Sequence, residues 1–463
     1  MTDVTREFYA TLQKQFRGEL LRPADPAYAA AHTIWNGMVA RKPALIARCA
    51  GVADVQAAVK LAAAHQILTA VRCGGHSLAG FSTCDAGLVI DLSPMRNVAV
   101  APQARRARFD GGCLLGSVDT ATQAHGLAFP SGVVSHTGAA GLILGGGFGW
   151  LTRLHGLSCD NVEGFTVVTA DGSILHTNSE ENVDLFWALR GGGGNFGVVT
   201  EFEVKLHPVT SIVLGEALCE EKNIPLLLRR WRDFMPEAPD NLRWSISLRP
   251  AAETDNVPEK LRGHPIASQA AVWVGDPDKG LRCLDRILSI VPPIFVTKRT
   301  MPFLSLQTIA DHEFPHGRRY YTKAGYFSSL DDNSIDRMVA ACASIPSPMT
   351  QIELAYLGGA PAKIPAADTA FGDRSSPFVI NLLGNWVEPA EDAANISWVR
   401  NVFSELRPAM TPGVYVNFMS GDEDDRVPEA YRTRWDRLIA IKSRYDPNNF
   451  FRLNQNIPVR KDP

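Results

Sequence analysis

The sequence predicts an α+β protein, with a glycine-rich first part built like an α/β domain followed by an antiparallel sheet carrying helices on one face. Three observations carry that reading. Short apolar runs flank a helical repeat near the start. Three glycine clusters punctuate the first two hundred residues. Strand-like segments then recur between helical ones through the middle of the chain. With 463 residues the chain is long enough for two sizeable domains, expected at 1–208 and 209–412 with a closing segment at 413–463.

Residues 46–49 read as a strand, Val52, Val55, Val59 and Ala62 recur at helical spacing, and 67–72 read as a second strand, a βαβ start with a parallel pair. Residues 87–92 are a further strand. Strands at 162–169 and 173–177 flank Asp171-Gly172, a two-residue hairpin signal. A helix over 184–190 ends in the glycines of 191–194. Residues 198–206 alternate, with Phe202, Val204 and Leu206 on one face and Glu201, Glu203 and Lys205 on the other, and His207-Pro208 closes this half-buried strand. Strands at 243–248, 271–274, 351–356 and 378–383 then alternate with helices at 281–290 and 335–343. The last part is expected to hold one strand and an amphipathic helix containing Trp435.

Hydrophobic residues make up 45% and charged residues 21%, the composition of a soluble globular protein. A net charge of -3 from 46 basic and 49 acidic residues leaves no nucleic-acid footprint, and no charge run marks a membrane-binding patch. The N-terminal residues lack a basic leader with an apolar core, and no apolar stretch would span a bilayer. Eight scattered cysteines without a CxxC pair read as reduced thiols, so the expected compartment is the cytoplasm.

The glycine clusters are Cys73-Gly74-Gly75-His76-Ser77, Leu144-Gly145-Gly146-Gly147-Phe148-Gly149 and Gly191-Gly192-Gly193-Gly194-Asn195-Phe196-Gly197. Such clusters mark tight bends or close approach to a ligand, and exposed backbone N–H groups suit a diphosphate. The third contains a literal GxGxxG but follows a helix and opens a strand, the reverse of a dinucleotide-binding fingerprint. The first follows a strand. Its residues alone fit either a surface turn with a solvated histidine or a phosphate-cradling loop that sets His76 against a ligand.

Taken with Ser131-Gly132-Val133-Val134, Gly138-Ala139-Ala140-Gly141, Asp160-Asn161, Asp184-Leu185-Phe186-Trp187, Asn195-Phe196-Gly197-Val198-Val199 and Tyr445-Asp446-Pro447-Asn448-Asn449-Phe450-Phe451-Arg452, these clusters recur in the right order over nearly the whole chain. The sequence resembles the berberine bridge enzyme-like branch of the vanillyl-alcohol oxidase / p-cresol methylhydroxylase flavoproteins, especially bacterial members such as 6-hydroxy-nicotine oxidases and oxidases of secondary metabolism. That resemblance implies a two-part FAD-binding domain with an inserted antiparallel-sheet substrate domain, the closing segment returning to the FAD part. It implies FAD attached through His76, a small organic substrate oxidised by hydride transfer, and O2 as acceptor. It assigns the cofactor to Arg72, Cys73, Gly74, Gly75, His76, Ser77, Gly132, Val134, Thr137, Gly138, Gly141, Gly145, Phe148, Val199, Asn417, Asn454 and Asn456. Alternatives are an oxygenating flavoenzyme or a flavin-binding protein without turnover.

Two departures matter. Val134 stands where many relatives carry a second, cysteinyl attachment, so a single link is expected. Phe418 ends the segment Tyr415-Val416-Asn417-Phe418 where relatives often carry a basic tyrosine. A base, if needed, comes from elsewhere. Gln351, Glu353 and Ala355 share one strand face, so Glu353 is either a solvated residue or a cavity-lining carboxylate of raised pKa. Tyr415 and His136 are the other candidates. The substrate is accordingly an amine or nitrogen heterocycle, or an oxygenated molecule deprotonated by Glu353. No metal site is expected, because Pro315 breaks the helical spacing of His312 and His316. Trp35, Trp150, Trp187 and Trp435 read as core.

Overall fold

The computed structural model describes residues 3–253 and 257–460; Met1 and Thr2, which open the N-terminal stretch read above, lie outside them. In the first sheet, β1 (Glu19–Leu21), β2 (Leu45–Arg48), β3 (Thr69–Arg72) and β4 (Leu88–Asp91) lie in the order β1-β2-β4-β3. The helix Val52–Ala64 buries Val55, Val59 and Ala62 and joins β2 to β3. These two strands are parallel but not neighbours. β4 lies between them, pairing in parallel with both, and is buried along its whole length as a central parallel strand must be.

Next come β5 (Val98–Ala101), β6 (Arg106–Asp110), β7 (Leu127–Ala128), β8 (Val162–Val168), β9 (Ile174–Asn178), β10 (Val198–Lys205) and β11 (His207–Pro208). Five of them form an antiparallel sheet in the order β5-β6-β10-β8-β9. β10 buries Phe202 and Val204 and leaves Lys205 exposed, as its alternation predicts. His207-Pro208 does more than close β10, since it pairs with β7. The β8–β9 hairpin has a three-residue loop instead of two. Thr169 N–H bonds Ser173, Gly172 N–H bonds Thr169 at 2.8 Å, and Gly172 takes the positive φ (77°) that this loop demands.

The third sheet is antiparallel throughout. It comprises β12 (Ser211–Glu220), β13 (Leu242–Pro250), β14 (Pro265–Val274), β15 (Phe295–Pro302), β16 (Arg319–Phe327), β17 (Gln351–Tyr356) and β18 (Phe378–Trp386), in the order β15-β12-β14-β13-β17-β18-β16. Trp244, Ile246 and Leu248 of β13, Ile352 and Leu354 of β17, and Ile380 and Leu382 of β18 form a core under the helices Ile224–Phe234, Pro277–Leu288, Asp332–Cys342 and Asp392–Leu406. Two of these helices are started by aspartates that accept from first-turn N–H groups, Asp276 from Asp278 and Lys279, and Asp331 from Ser334. The intervening residues, Arg243, Ser245, Ser247, Gln351 and Glu353 among them, face the other way.

Among the described residues after 412 there is no strand, contrary to the sequence-based expectation. Val416–Phe418 makes one tight turn, closed by Phe418 N–H to Tyr415 O at 2.9 Å, while the Asn417 amide donates to Leu142 O. The Trp435 helix is present, as Trp435–Tyr445. Its Lys442 is fully buried and donates to Asp446 at 2.6 Å, to Asn195 O at 2.8 Å and to Phe451 O at 3.1 Å. One ammonium thereby ties the third glycine cluster to the C-terminal segment. All eight cysteines are free, and no helix among the described residues is long and apolar enough to cross a membrane.

Candidate active site

Two loops meet where β3 ends. A Cβ on Gly74 would stand 2.4 Å from Gly138 N, and one on Gly138 would stand 2.4 Å from Gly74 N, so the backbones cross only because both residues are glycine. From Gly75 to Ala79 the backbone N–H groups find no acceptor among the described residues, whereas those of Gly80 and Phe81 are both taken by Ser77. Such a run of unpaired donors is an anion-binding concavity.

These loops wall a cavity of about 930 Å³, at the upper end of the roughly 300–1,000 Å³ of small-molecule sites. The wall includes Cys73, Gly74, Gly75, His76, Ser77, Gly132, Val134, Thr137, Gly138, Gly141, Phe148, Val199, Asn417 and Asn454, residues that the resemblance assigns to the cofactor. Gly193, Gly194 and Asn195 join them, so the cluster rejected as a nicotinamide-type fingerprint still faces the ligand space. A Cβ on Gly141 would meet no protein atom within 4 Å; it would project into this space. Glycine backbone, unpaired amides and volume all fit FAD.

Three predicted cofactor residues stand back from the cavity wall. Arg72 turns away to pair with Asp91 at 2.6 Å and to bond Ala31 O. Gly145 lets Asn417 approach, since a Cβ there would lie 2.3 Å from the Asn417 amide oxygen. Asn456 keeps its amide oxygen buried without a partner.

His76 sits at the cavity wall with its ring stacked on Trp35, centroids 4.8 Å apart, and Trp35 stacks in turn on Tyr320 at 3.6 Å. The Nε2 of His76 lies 2.7 Å from His136 Nδ1, within hydrogen-bonding distance. Burial, with His136 and His316 beside it, holds His76 well below the usual imidazole range, so the ring is uncharged at neutral pH. His136 itself does not reach the large cavity. It lines a smaller pocket with His316, and the ligating atoms of His76, His136 and His316 lie within 4.8 Å of one another. His312 lies in a separate short turn, Asp311–Glu313.

Opposite the glycine wall stands the polar face of the large sheet. Glu353 on β17 lies beside Ser247 of β13 and Asn381 of β18. It accepts from Asn381 Nδ2 at 2.8 Å and from Gln351 Nε2 at 3.1 Å. Desolvation pushes its carboxyl up to about 7, with the Asn381 hydrogen bond opposing. The buried Tyr415 hydroxyl accepts from Gly147 N–H at 3.0 Å and from Asn417 Nδ2 at 2.8 Å, and desolvation raises its pKa well above the ordinary phenol value. That hydroxyl is a structural tie between two loops. Phe418 lines the cavity against Phe148 and Tyr415 with no acidic group.

Arg243 and Trp150 also line the cavity and were not foreseen. The alternation of β13 was readable, but which of its faces stays uncovered depends on helices far along the chain.

Residues 43–178 match the family model described as an FAD binding domain, and residues 414–458 match the berberine and berberine like model. An FAD-linked oxidoreductase of Dictyostelium discoideum is 33% identical over 430 residues, 91% of this chain and 90% of that protein. The (R)-6-hydroxynicotine oxidase of Paenarthrobacter nicotinovorans is 29% identical over 461 residues, 95% of this chain and 96% of its own. The crystal structure of 6-hydroxy-D-nicotine oxidase from Arthrobacter nicotinovorans superposes with a TM-score of 0.85 at 28% identity, over 96% of this chain and 98% of that one. Fold, cavity and relatives together define an FAD-dependent oxidoreductase. Within that class, the chain belongs to the berberine bridge enzyme-like family of FAD-linked oxidoreductases.

Filling the cradle tests the cofactor position. Gly141→Trp should lower the flavin bound per protein several-fold while far-UV circular dichroism stays native; full flavin loading of this variant would contradict it.

Proposed function

We propose that this oxidoreductase holds FAD by a single covalent link to His76 and oxidises the carbon–hydrogen bond beside a hydroxyl group of a small organic molecule, with O2 as final acceptor. The observation that carries the substrate class is Glu353, the one cavity carboxylate pushed up to about 7. A general base serves best when its pKa lies near the working pH.

When bound, FAD supplies the two-electron step, accepting hydride from the substrate carbon and passing the electrons to O2 to give hydrogen peroxide. The chain supplies everything else. His76 is neutral and so retains a lone pair for attachment, and its contacts with His136 and Thr137 hold the ring in place. Val134 has no thiol, which limits attachment to one residue. Glu353 takes the hydroxyl proton as the carbon loses hydride, so the substrate leaves as a carbonyl compound. Asn381 and Gln351 hold that carboxylate in place from both sides. Phe418 and Phe148 keep the space beside it apolar and free of competing bases.

Two measurements follow. Colour should stay with acid-precipitated wild-type protein, and His76→Ala should release it. Digestion should recover one flavin peptide, containing His76, and none spanning Val134. Colour leaving the wild type with the acid supernatant would contradict the covalent link.

In anaerobic stopped-flow with an alcohol that bleaches the wild type, flavin reduction should speed up as pH rises through about 7 and level off above it. Only the deprotonated carboxylate accepts a proton. Glu353→Gln should abolish that limb and slow reduction by roughly 10²–10⁴-fold. Wild-type rates in this variant at every pH would exclude Glu353 as the base.

A further inference from the structure

The cavity contains a cation that the chain leaves without a counter-ion. β13 sends Trp244, Ile246 and Leu248 into the core and turns Arg243, Ser245 and Ser247 to the cavity. The Arg243 guanidinium makes no hydrogen bond or ion pair among the described residues. It lies 4.7 Å over the ring of Trp150, and its Nη1 is buried with no acceptor. The indole Nε1 of Trp150 is likewise buried with no acceptor. By contrast, Arg299 on the same wall is held by Glu216 at 2.6 Å. Burial pushes Arg243 down to about 10, so it stays charged at neutral pH.

A desolvated guanidinium on the cavity wall, with no carboxylate in an ion pair with it, is costly unless a ligand brings an anion. The remaining wall nearby, Leu214 and Ile309, has no polar side chain to serve. Glu353 is the charge that acts on Arg243, yet it is held by Asn381 and Gln351. Ser247 faces Glu353 across the β13–β17 pair, and Arg243 lies four residues further along β13, about 13 Å of strand.

We infer that the substrate is an elongated organic anion whose carboxylate is received by Arg243, braced on the Trp150 ring, at one end of the cavity, while its hydroxyl-bearing carbon lies at Glu353. The geometry rests on the reading of Glu353 as base only for the second half. The carboxylate site stands on Arg243, whose guanidinium the Trp150 ring supports from one side. A cation at one end of the cavity selects the orientation of an elongated anion as well as its charge.

The test is calorimetric titration of the flavin-loaded protein with phenylalkanoates of increasing length, from phenylacetate to 6-phenylhexanoate, each beside its neutral amide. Some member of the series should bind roughly ten- to a hundredfold tighter as the carboxylate than as the amide. Arg243→Gln should erase that preference, and Arg243→Lys should retain part of it. Because binding is read without turnover, Glu353→Gln should keep the preference in full, which separates failure of the base from failure of the anion site. Equal affinity for acid and amide in the wild type, an undiminished preference in Arg243→Gln, or no binding by any carboxylate of the series would each overturn the inference.

Discussion

The site depends on the crossing of Gly74 and Gly138, where each backbone occupies the space a side chain on the other would need. That contact joins the loop after β3 to the loop that starts the helix Ala139–Leu144, and so brings His76 beside Thr137 and His136. It also leaves the amides of 75–79, on the cavity wall, without an acceptor among the described residues. Replacing either glycine would force the loops apart at backbone level, where no rotamer change can relieve the clash. Lys442 makes a similar tie at the other end, since its buried ammonium holds Asn195 and the C-terminal chain together beside Asn454.

The large sheet supplies the second half of the chemistry by division of labour between its faces. One face is sealed by four helices over an apolar core, which makes the strands rigid. The other carries Glu353, Arg243, Asn381 and the serines of β13 into the cavity. Desolvation on that face moves two ionisable groups in opposite directions, Glu353 up and Arg243 down, each toward its neutral form. The same burial tunes a base and makes an uncompensated cation seek a ligand.

Much of this was legible in the sequence because its causes are local. The β17 boundaries and the face shared by Gln351 and Glu353 follow from strict alternation. The helix Val52–Ala64 follows from its apolar spacing, and the glycine clusters mark the cavity wall. What was missed depends on contacts distant in sequence. β4 enters between β2 and β3 from a segment that begins at Leu88, 16 positions after β3 ends at Arg72, which pairwise pattern reading does not show. Strands β12, β15 and β16 were passed over; β15 lies at the sheet edge with an exposed, polar sequence, and β16 carries Lys323 and Thr322 in a buried run. The expected strand after 412 fails because Asn417 is drawn to Leu142 O and Tyr415 to Gly147. Arg72 pairs with Asp91 and His136 lies beside His76 and His316, contacts between segments distant in sequence.

The most direct test is a crystal structure of the FAD-loaded protein. Density continuous from the His76 imidazole to the isoalloxazine, with the ring between the His76 loop and the β17 face that carries Glu353, is the predicted result. A ring not joined to His76, or one placed so that Glu353 faces away from it, would contradict a site assembled from these two walls.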